Sequence, residues 1–119
     1  MHALFVELPP FQRYRSDYLD DEAFHKLQIM LMSNPEVGDV IQGTGGLRKV
    51  RFADEKRNKG NKGKRGGIRV IYYMWLGSRE FWLFNIYDKN TQDDLSEAQK
   101  KVLKTLLDYE IKARTDHET

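Results

Sequence analysis

The sequence predicts an α+β domain: an antiparallel sheet of about four strands, with two N-terminal helices and one C-terminal helix packed on one face of it. Three observations carry that expectation. Helix-like and strand-like periodicities are segregated along the chain in the order β, α, α, β, β, β, α, which favours helices gathered on an antiparallel sheet over the regular alternation of a parallel one. Residues 67–87 hold two runs rich in aromatic and β-branched side chains on either side of Gly77-Ser78, the pattern of a hairpin. The chain has 119 residues, 39% of them apolar, and no internal repeat, which fits one domain spanning 1–119 with a core of its own.

The elements follow from local signals. Residues 3–8 alternate, Leu4, Val6 and Leu8 against Phe5 and Glu7, as a strand does. Pro9-Pro10 stops that strand and can open a helix, because a first helical turn does not need the missing N–H. Phe11, Tyr14, Tyr18 and Leu19 then form one helical stripe. Asp20 is the expected N-cap of a second helix, with Asp21 and Glu22 at the positive end of its dipole. Its stripe is Phe24, Leu27, Met30 and Leu31, and Asn34-Pro35 ends it. Four glycines between 38 and 46 mark a loop, with a brief extended piece at Val40-Ile41.

Residues 47–52 alternate as a strand, with Arg48, Val50 and Phe52 on one face and Leu47, Lys49 and Arg51 on the other. Residues 53–66 are polar and glycine-containing, hence a mobile loop. Residues 67–76 give the strongest strand signal, apolar on both faces apart from Arg69, and so are expected at the sheet centre. Phe81 to Tyr87 returns as its hairpin partner. The last helix begins near Ser96, where Ser96 and Gln99 have capping-box spacing, with Val102, Leu103, Leu106, Leu107 and Ile111 as its buried stripe.

Composition removes several function classes. Without cysteine there is no disulfide scaffold, iron–sulfur centre or thiol nucleophile. The longest purely apolar stretch is the seven residues 70–76, far short of the ~20 that span a bilayer. With no basic-then-apolar N-terminal signal either, a cytoplasmic protein is expected. Glycine-rich phosphate loops and a Ser-His-Asp arrangement are absent. Asp21 and His25 lie four apart on a helix but lack a third ligand, so neither a metal nor a cofactor is expected and His25 reads as a surface residue.

Charge is more informative. The formal net charge of +2 conceals a segment, 48–69, with ten basic residues against Asp54 and Glu55, while the other 97 residues sum to −6. Such a block suits either a solvated lysine loop or a polyanion partner. Arg48, Lys49 and Arg51 on one strand and Arg69 on the next are cations fixed on a sheet, where burial is expensive unless an anion meets them. Arginine holds two phosphate oxygens at once and stabilises the charge that builds during phosphoryl transfer. Lys56, Arg57, Lys59, Lys62, Lys64 and Arg65 would lie at the edge of that site. Tyr72, Tyr73 and Tyr87 are available either to stack on an unpaired base or to serve as core aromatics.

Three segments carry a specific resemblance: Asn34-Pro35-Glu36-Val37-Gly38-Asp39-Val40-Ile41-Gln42-Gly43-Thr44-Gly45-Gly46-Leu47-Arg48-Lys49-Val50-Arg51; Gly63-Lys64-Arg65-Gly66-Gly67-Ile68-Arg69-Val70-Ile71-Tyr72-Tyr73; and Ile86-Tyr87-Asp88-Lys89-Asn90 with Asp94-Leu95. Together they resemble the HigB branch of the RelE/ParE toxin superfamily, over residues 5–107. The resemblance implies a RelE-like (microbial RNase-like) fold and the toxin of a type II toxin–antitoxin pair. It implies a ribosome-dependent endoribonuclease that cuts messenger RNA in the A site by 2′-hydroxyl attack on the adjacent phosphate. A HigA-type helix-turn-helix antitoxin is the implied partner, with the toxin alone monomeric and larger assemblies formed with the antitoxin.

By position, Lys49 and Arg51 match basic catalytic groups of RelE-type toxins, Arg69 the arginine on the scissile phosphate, and Lys89 a further basic group. Arg48, the loop cations Lys56, Arg57, Lys59, Lys62, Lys64 and Arg65, and Tyr73 are the implied RNA and ribosome contacts. Where RelE-type toxins carry a second basic residue this chain has Asn90, and where they carry a catalytic tyrosine it reads Asp94-Leu95-Ser96, which leaves the general acid and base open. Two other activities remain in view: a ParE-like poison of DNA gyrase, and a non-catalytic module that only binds RNA or the ribosome.

Overall fold

The computed structural model describes residues 3–53, 67–75, 77, 79–89 and 94–116. The described residues form an α+β fold in the order β1 (Leu4–Glu7), α1 (Pro9–Tyr18), α2 (Asp21–Ser33), β2 (Asp39–Val40), β3 (Arg48–Phe52), β4 (Ile68–Trp75), β5 (Glu80–Asp88) and α3 (Glu97–Asp116). The sheet order is β1-β5-β4-β3-β2. The extended piece at Val40-Ile41 is realised as the two-residue strand β2, which brings the sheet to five strands.

Local chemistry sets most boundaries. Pro9 and Pro10 occupy the first turn of α1. The Asp20 carboxylate accepts from Ala23 N at 2.8 Å and caps α2, and Asn34 closes that helix by donating its N–H to Met30 O at 3.1 Å. Ser96 and Gln99 form the reciprocal capping box of α3: Gln99 N donates to Ser96 Oγ at 3.1 Å and Ser96 N to Gln99 Oε1 at 2.9 Å.

Three features differ from the expectation. The helices cover both faces of the sheet. Phe11, Leu19, Leu27 and Leu31 of α1, α2 and the turn between them pack with Val50, Val70, Tyr72, Leu83 and Ile86 on one face. Leu103 and Leu107 of α3 pack with Leu47, Ile71, Trp82, Phe84 and Tyr87 on the other. The reason is that β4 and β5 are apolar on both sides, and a single helical layer would leave Trp82 and Phe84 in water. The sheet is also not wholly antiparallel: β1 runs parallel to β5, with Phe5 opposite Phe81, a pairing open to strands joined by a long stretch of chain and not by a hairpin. The α3 stripe is narrower than its spacing predicts. Leu103 and Leu107 are buried, whereas Val102 and Leu106 are 59% and 41% exposed.

In the β4–β5 hairpin the register passes from Ile71 opposite Asn85 to Tyr72 opposite Leu83, a β-bulge that leaves Phe84 without an opposite residue. Beside it, Asn85 Oδ1 accepts from Ile86 N at 2.9 Å. Trp82 anchors the α3 side. Its ring stacks on Trp75 at 5.1 Å and meets Tyr73 at 5.3 Å; its Nε1 donates to Glu80 Oε1 at 2.8 Å. The Arg114 guanidinium of α3 lies 4.7 Å over the same ring and 3.7 Å from Glu80 Oε1.

Gly38 ties the α2–β2 connection to the sheet. Its N–H donates to the Tyr72 hydroxyl at 3.0 Å, and that hydroxyl donates to Pro35 O at 2.7 Å. A Cβ at Gly38 would lie 2.9 Å from both Lys49 O and Tyr72 Cε1. Neither a strand carbonyl nor a fully buried ring can retreat, so Gly38→Ala should lower stability by about 1–3 kcal/mol. The check is a shift in the urea midpoint at unchanged slope.

Candidate functional site

Alternation along β3 directs Val50 and Phe52 to the α1–α2 face, and hence Lys49 and Arg51 to the α3 face with Leu47. Arg69 on β4 is directly opposite Arg51, and on its other side directly opposite Tyr87 of β5. Like charges paired across a ladder are ordinarily avoided, so the Arg51–Arg69 pair is a notable concentration of positive charge on this face. Gly67 lies between them. A Cβ there would be 3.6 Å from Arg69 Nη1 and 3.7 Å from Arg51 Nε. Its φ of +68° is one glycine adopts without strain. Gly67 O also accepts from Lys89 N at 3.1 Å, which fixes Lys89 at the end of β5 beside the two arginines.

A carboxylate joins this group from the α3 side. Asp94 Oδ1 is 3.3 Å from Lys49 Nζ and 3.8 Å from Lys89 Nζ. The hydrogen bond from Lys49, then the charges of Lys49, Lys89 and Arg69, hold the Asp94 carboxyl below the usual carboxylate range. The sign follows directly: a depressed native pKa adds stability above the unfolded-state value, and that stability is lost as pH falls through the native one. A stability difference between wild type and Asp94→Asn at neutral pH should therefore close in acid, as read from melting temperatures across a pH series. Tyr87 is buried. Burial pushes its phenol up, opposed by the Arg69 charge and reinforced by Asp94, so at neutral pH it is a protonated donor.

The structure thus brings together Lys49, Arg51, Arg69 and Lys89 of the sequence-predicted residues. Arg48 is not among them. It points with Val50 and Phe52, and its Nη1 donates to Gly38 O at 2.6 Å and Glu36 O at 3.3 Å, a tie to the α2–β2 connection. Tyr72 is a core residue held by Pro35 and Gly38. Tyr73 is half-buried and packs its ring on Trp75 and Trp82; it lies four residues, about 13 Å along the strand, from Arg69. Lys56, Arg57, Lys59, Lys62, Lys64, Arg65 and Asn90 lie outside the described residues. His25 is exposed.

Asp94 and Gly67 are the members that reasoning from residue type missed. Asp94 is 45 residues from Lys49, beyond the reach of any spacing rule. A separate groove of about 600 Å³ runs between Leu8, Pro9, Pro10 and Phe84 and the Val102–Leu106–Tyr109 edge of α3. Its lining is largely apolar and suits no phosphate. Among the described residues no helix is long and apolar enough to cross a membrane.

No family model matches the chain. Its fold is similar to that of the isolated E. coli RelE toxin, with a TM-score of 0.50 and 12% sequence identity over 88% of this chain and 99% of that one. A free-state structure of E. coli RelE carrying two arginine-to-alanine substitutions gives a TM-score of 0.49 and 11% identity, over 78% of this chain and 90% of that one. At such identities the likeness is one of fold.

Proposed function

We propose that this chain is a toxin of the HigB branch of the RelE/ParE superfamily, a ribosome-dependent endoribonuclease that cleaves translated messenger RNA in the A site. The observation that carries this reading is the gathering of Lys49, Arg51, Arg69 and Lys89 on one sheet face, with the Asp94 carboxylate against the two lysines. The fold likeness to RelE supports it. A binding-only poison of gyrase has no need of cations aligned on a reacting phosphate.

The chemistry requires three things: a proton removed from the ribose 2′-hydroxyl, neutralisation of the pentavalent phosphate, and a proton delivered to the departing 5′-oxygen. The Arg69 fork is suited to two phosphate oxygens, and Arg51 beside it adds to the same field. Lys49 and Lys89 lower the pKa of the attacking hydroxyl, and either ammonium is a proton source for the leaving oxygen. The bond that forms is 2′-oxygen to phosphorus and the bond that breaks is phosphorus to 5′-oxygen, leaving a 2′,3′-cyclic phosphate. The proton of the 2′-hydroxyl passes to water, and with cations as the described groups facing the phosphate the reaction depends on the substrate alignment that the ribosome supplies. The partner on this reading is a HigA-type helix-turn-helix antitoxin, and the toxin acts in the cytoplasm, a monomer when alone.

The test is expression in a bacterium followed by mapping of messenger RNA ends. Codon-associated cuts, absent with Arg69→Ala, are the expected result. Intact messages with blocked DNA replication would transfer the reading to gyrase, and ribosome binding without cuts to a docking module. The loop cations are assigned to ribosomal RNA phosphates. Replacing Lys59, Lys62 and Lys64 together should weaken ribosome binding and flatten its salt dependence by a log–log slope of about 2. An unchanged slope in a salt series counts against that assignment.

A further inference from the structure

Asp94 has no part in the chemistry above, yet it sits where the cationic field converges. One of its oxygens faces two ammonium groups from different elements, Lys49 on β3 and Lys89 beyond β5, an arrangement that suits one oxygen of a bound phosphate. From this geometry we infer that Asp94 is a built-in counter-anion, holding the position of the substrate phosphate between Lys49 and Lys89 until the substrate displaces it. The inference rests on the phosphoryl-transfer reading of the site.

Two further observations support it. The carboxylate is held at the site by its neighbours: Leu95 packs against the α3-side core, and Ser96 is locked in the capping box of α3. The side chain itself is 74% exposed, so it can swing into water without unpacking anything. A carboxylate fixed in the chain but loose at its tip keeps two like-charged lysines together in the free protein, and it yields to a stronger, multiply held anion. It also sets a threshold. A phosphate from free RNA must compete with Asp94 unaided, whereas messenger RNA positioned by the ribosome brings the alignment that tips the exchange. Asp94 is thus a specificity-determining residue: it discriminates against loose polyanions in favour of positioned substrate.

The experiment measures binding of inorganic phosphate, and of an RNA trinucleotide with uncleavable 2′-O-methyl riboses, to wild type, Asp94→Asn and Glu97→Gln. Glu97 pairs with Lys100 on α3 and its substitution makes the same charge change at a carboxylate paired with neither Lys49 nor Lys89. Asp94→Asn should bind both probes about three- to fivefold more tightly, the scale of releasing exposed ion pairs, and Glu97→Gln should match wild type. Unchanged or weaker binding by Asp94→Asn, an equal gain in Glu97→Gln, or no binding by any of the three overturns the inference. Melting curves establish that each variant is folded. Tighter binding without messenger RNA cuts in cells removes the nuclease and keeps the counter-anion; cuts without tighter binding do the reverse.

Discussion

Arg69→Ala should reduce cleavage on programmed ribosomes by about 10²–10³-fold, the cost of removing one preorganised group that stabilises transition-state charge, while the fold stands. Both halves of that expectation follow from the register. Arg69 is flanked by Arg51 on one side and Tyr87 on the other, so its loss removes charge from the centre of the cationic face. The same substitution relieves a like-charge pair across the ladder, and the half-exposed side chain leaves no sealed cavity behind. Single-turnover cleavage and a thermal melt decide the matter together. Cleavage at the wild-type rate, or loss of activity that tracks loss of the folded state, removes Arg69 from the chemistry. Arg69→Lys restores the charge without the planar fork and should recover only part of the rate.

The largest expected effect on stability lies elsewhere. Trp82→Ala should cost about 3–5 kcal/mol, the range for truncating a fully buried large aromatic side chain, out of a total of about 5–15 for a domain of this kind. Trp82 is fully buried and is the point at which β4, β5 and α3 meet: it stacks on Trp75, meets Tyr73, and carries the Arg114 guanidinium. Alanine removes all three contacts and leaves Glu80 without the indole N–H. Urea titration followed by far-ultraviolet circular dichroism reads the effect. A shift smaller than about 1 kcal/mol would mean that the site relaxes around the void, and that α3 is held chiefly by Leu103 and Leu107. Trp82→Phe keeps an aromatic ring and should fall between the two.

Element boundaries were legible in the sequence because their signals are local. Pro9-Pro10, Asp20, Asn34-Pro35 and the Ser96–Gln99 pair each act within one helical turn, and each works in the structure as its chemistry predicts. Layer assignment was not legible in the same way, since which element covers which face depends on contacts far apart in sequence. A signal was nonetheless present: a strand apolar on both sides requires cover on both sides, and 67–76 has that pattern. The parallel pairing of β1 with β5 has no local signal at all. Val102 and Leu106 share helical spacing with Leu103 and Leu107, but the sheet covers a narrower arc of α3 than the apolar residues span, and the excess borders the groove with Pro9 and Pro10.

For the site, period-two alternation within β3 placed Lys49 and Arg51 on one face. The same alternation put Arg48 with Val50 and Phe52, and so already argued against grouping it with them. Asp94 comes to the site from the segment between β5 and α3, and only the folded chain brings it to Lys49.

The bulge in β5 has a consequence for how the site is addressed. Phe81 and Leu83 face α1 and α2, Trp82 and Phe84 face α3, and strict alternation from there would send Ile86 toward α3 and Tyr87 toward the helix pair. One surplus residue in the strand reverses the parity, so Ile86 joins the α1–α2 side and Tyr87 the α3 side. Everything beyond the bulge inherits that half-turn, Lys89 included. The distal end of β5 thus owes its chemistry to a frame set several residues upstream: deleting the surplus residue would restore regular alternation with Ile86 and Tyr87 on their present faces, whereas pairing it regularly in the ladder would exchange the isoleucine and the phenol with no change to either side chain.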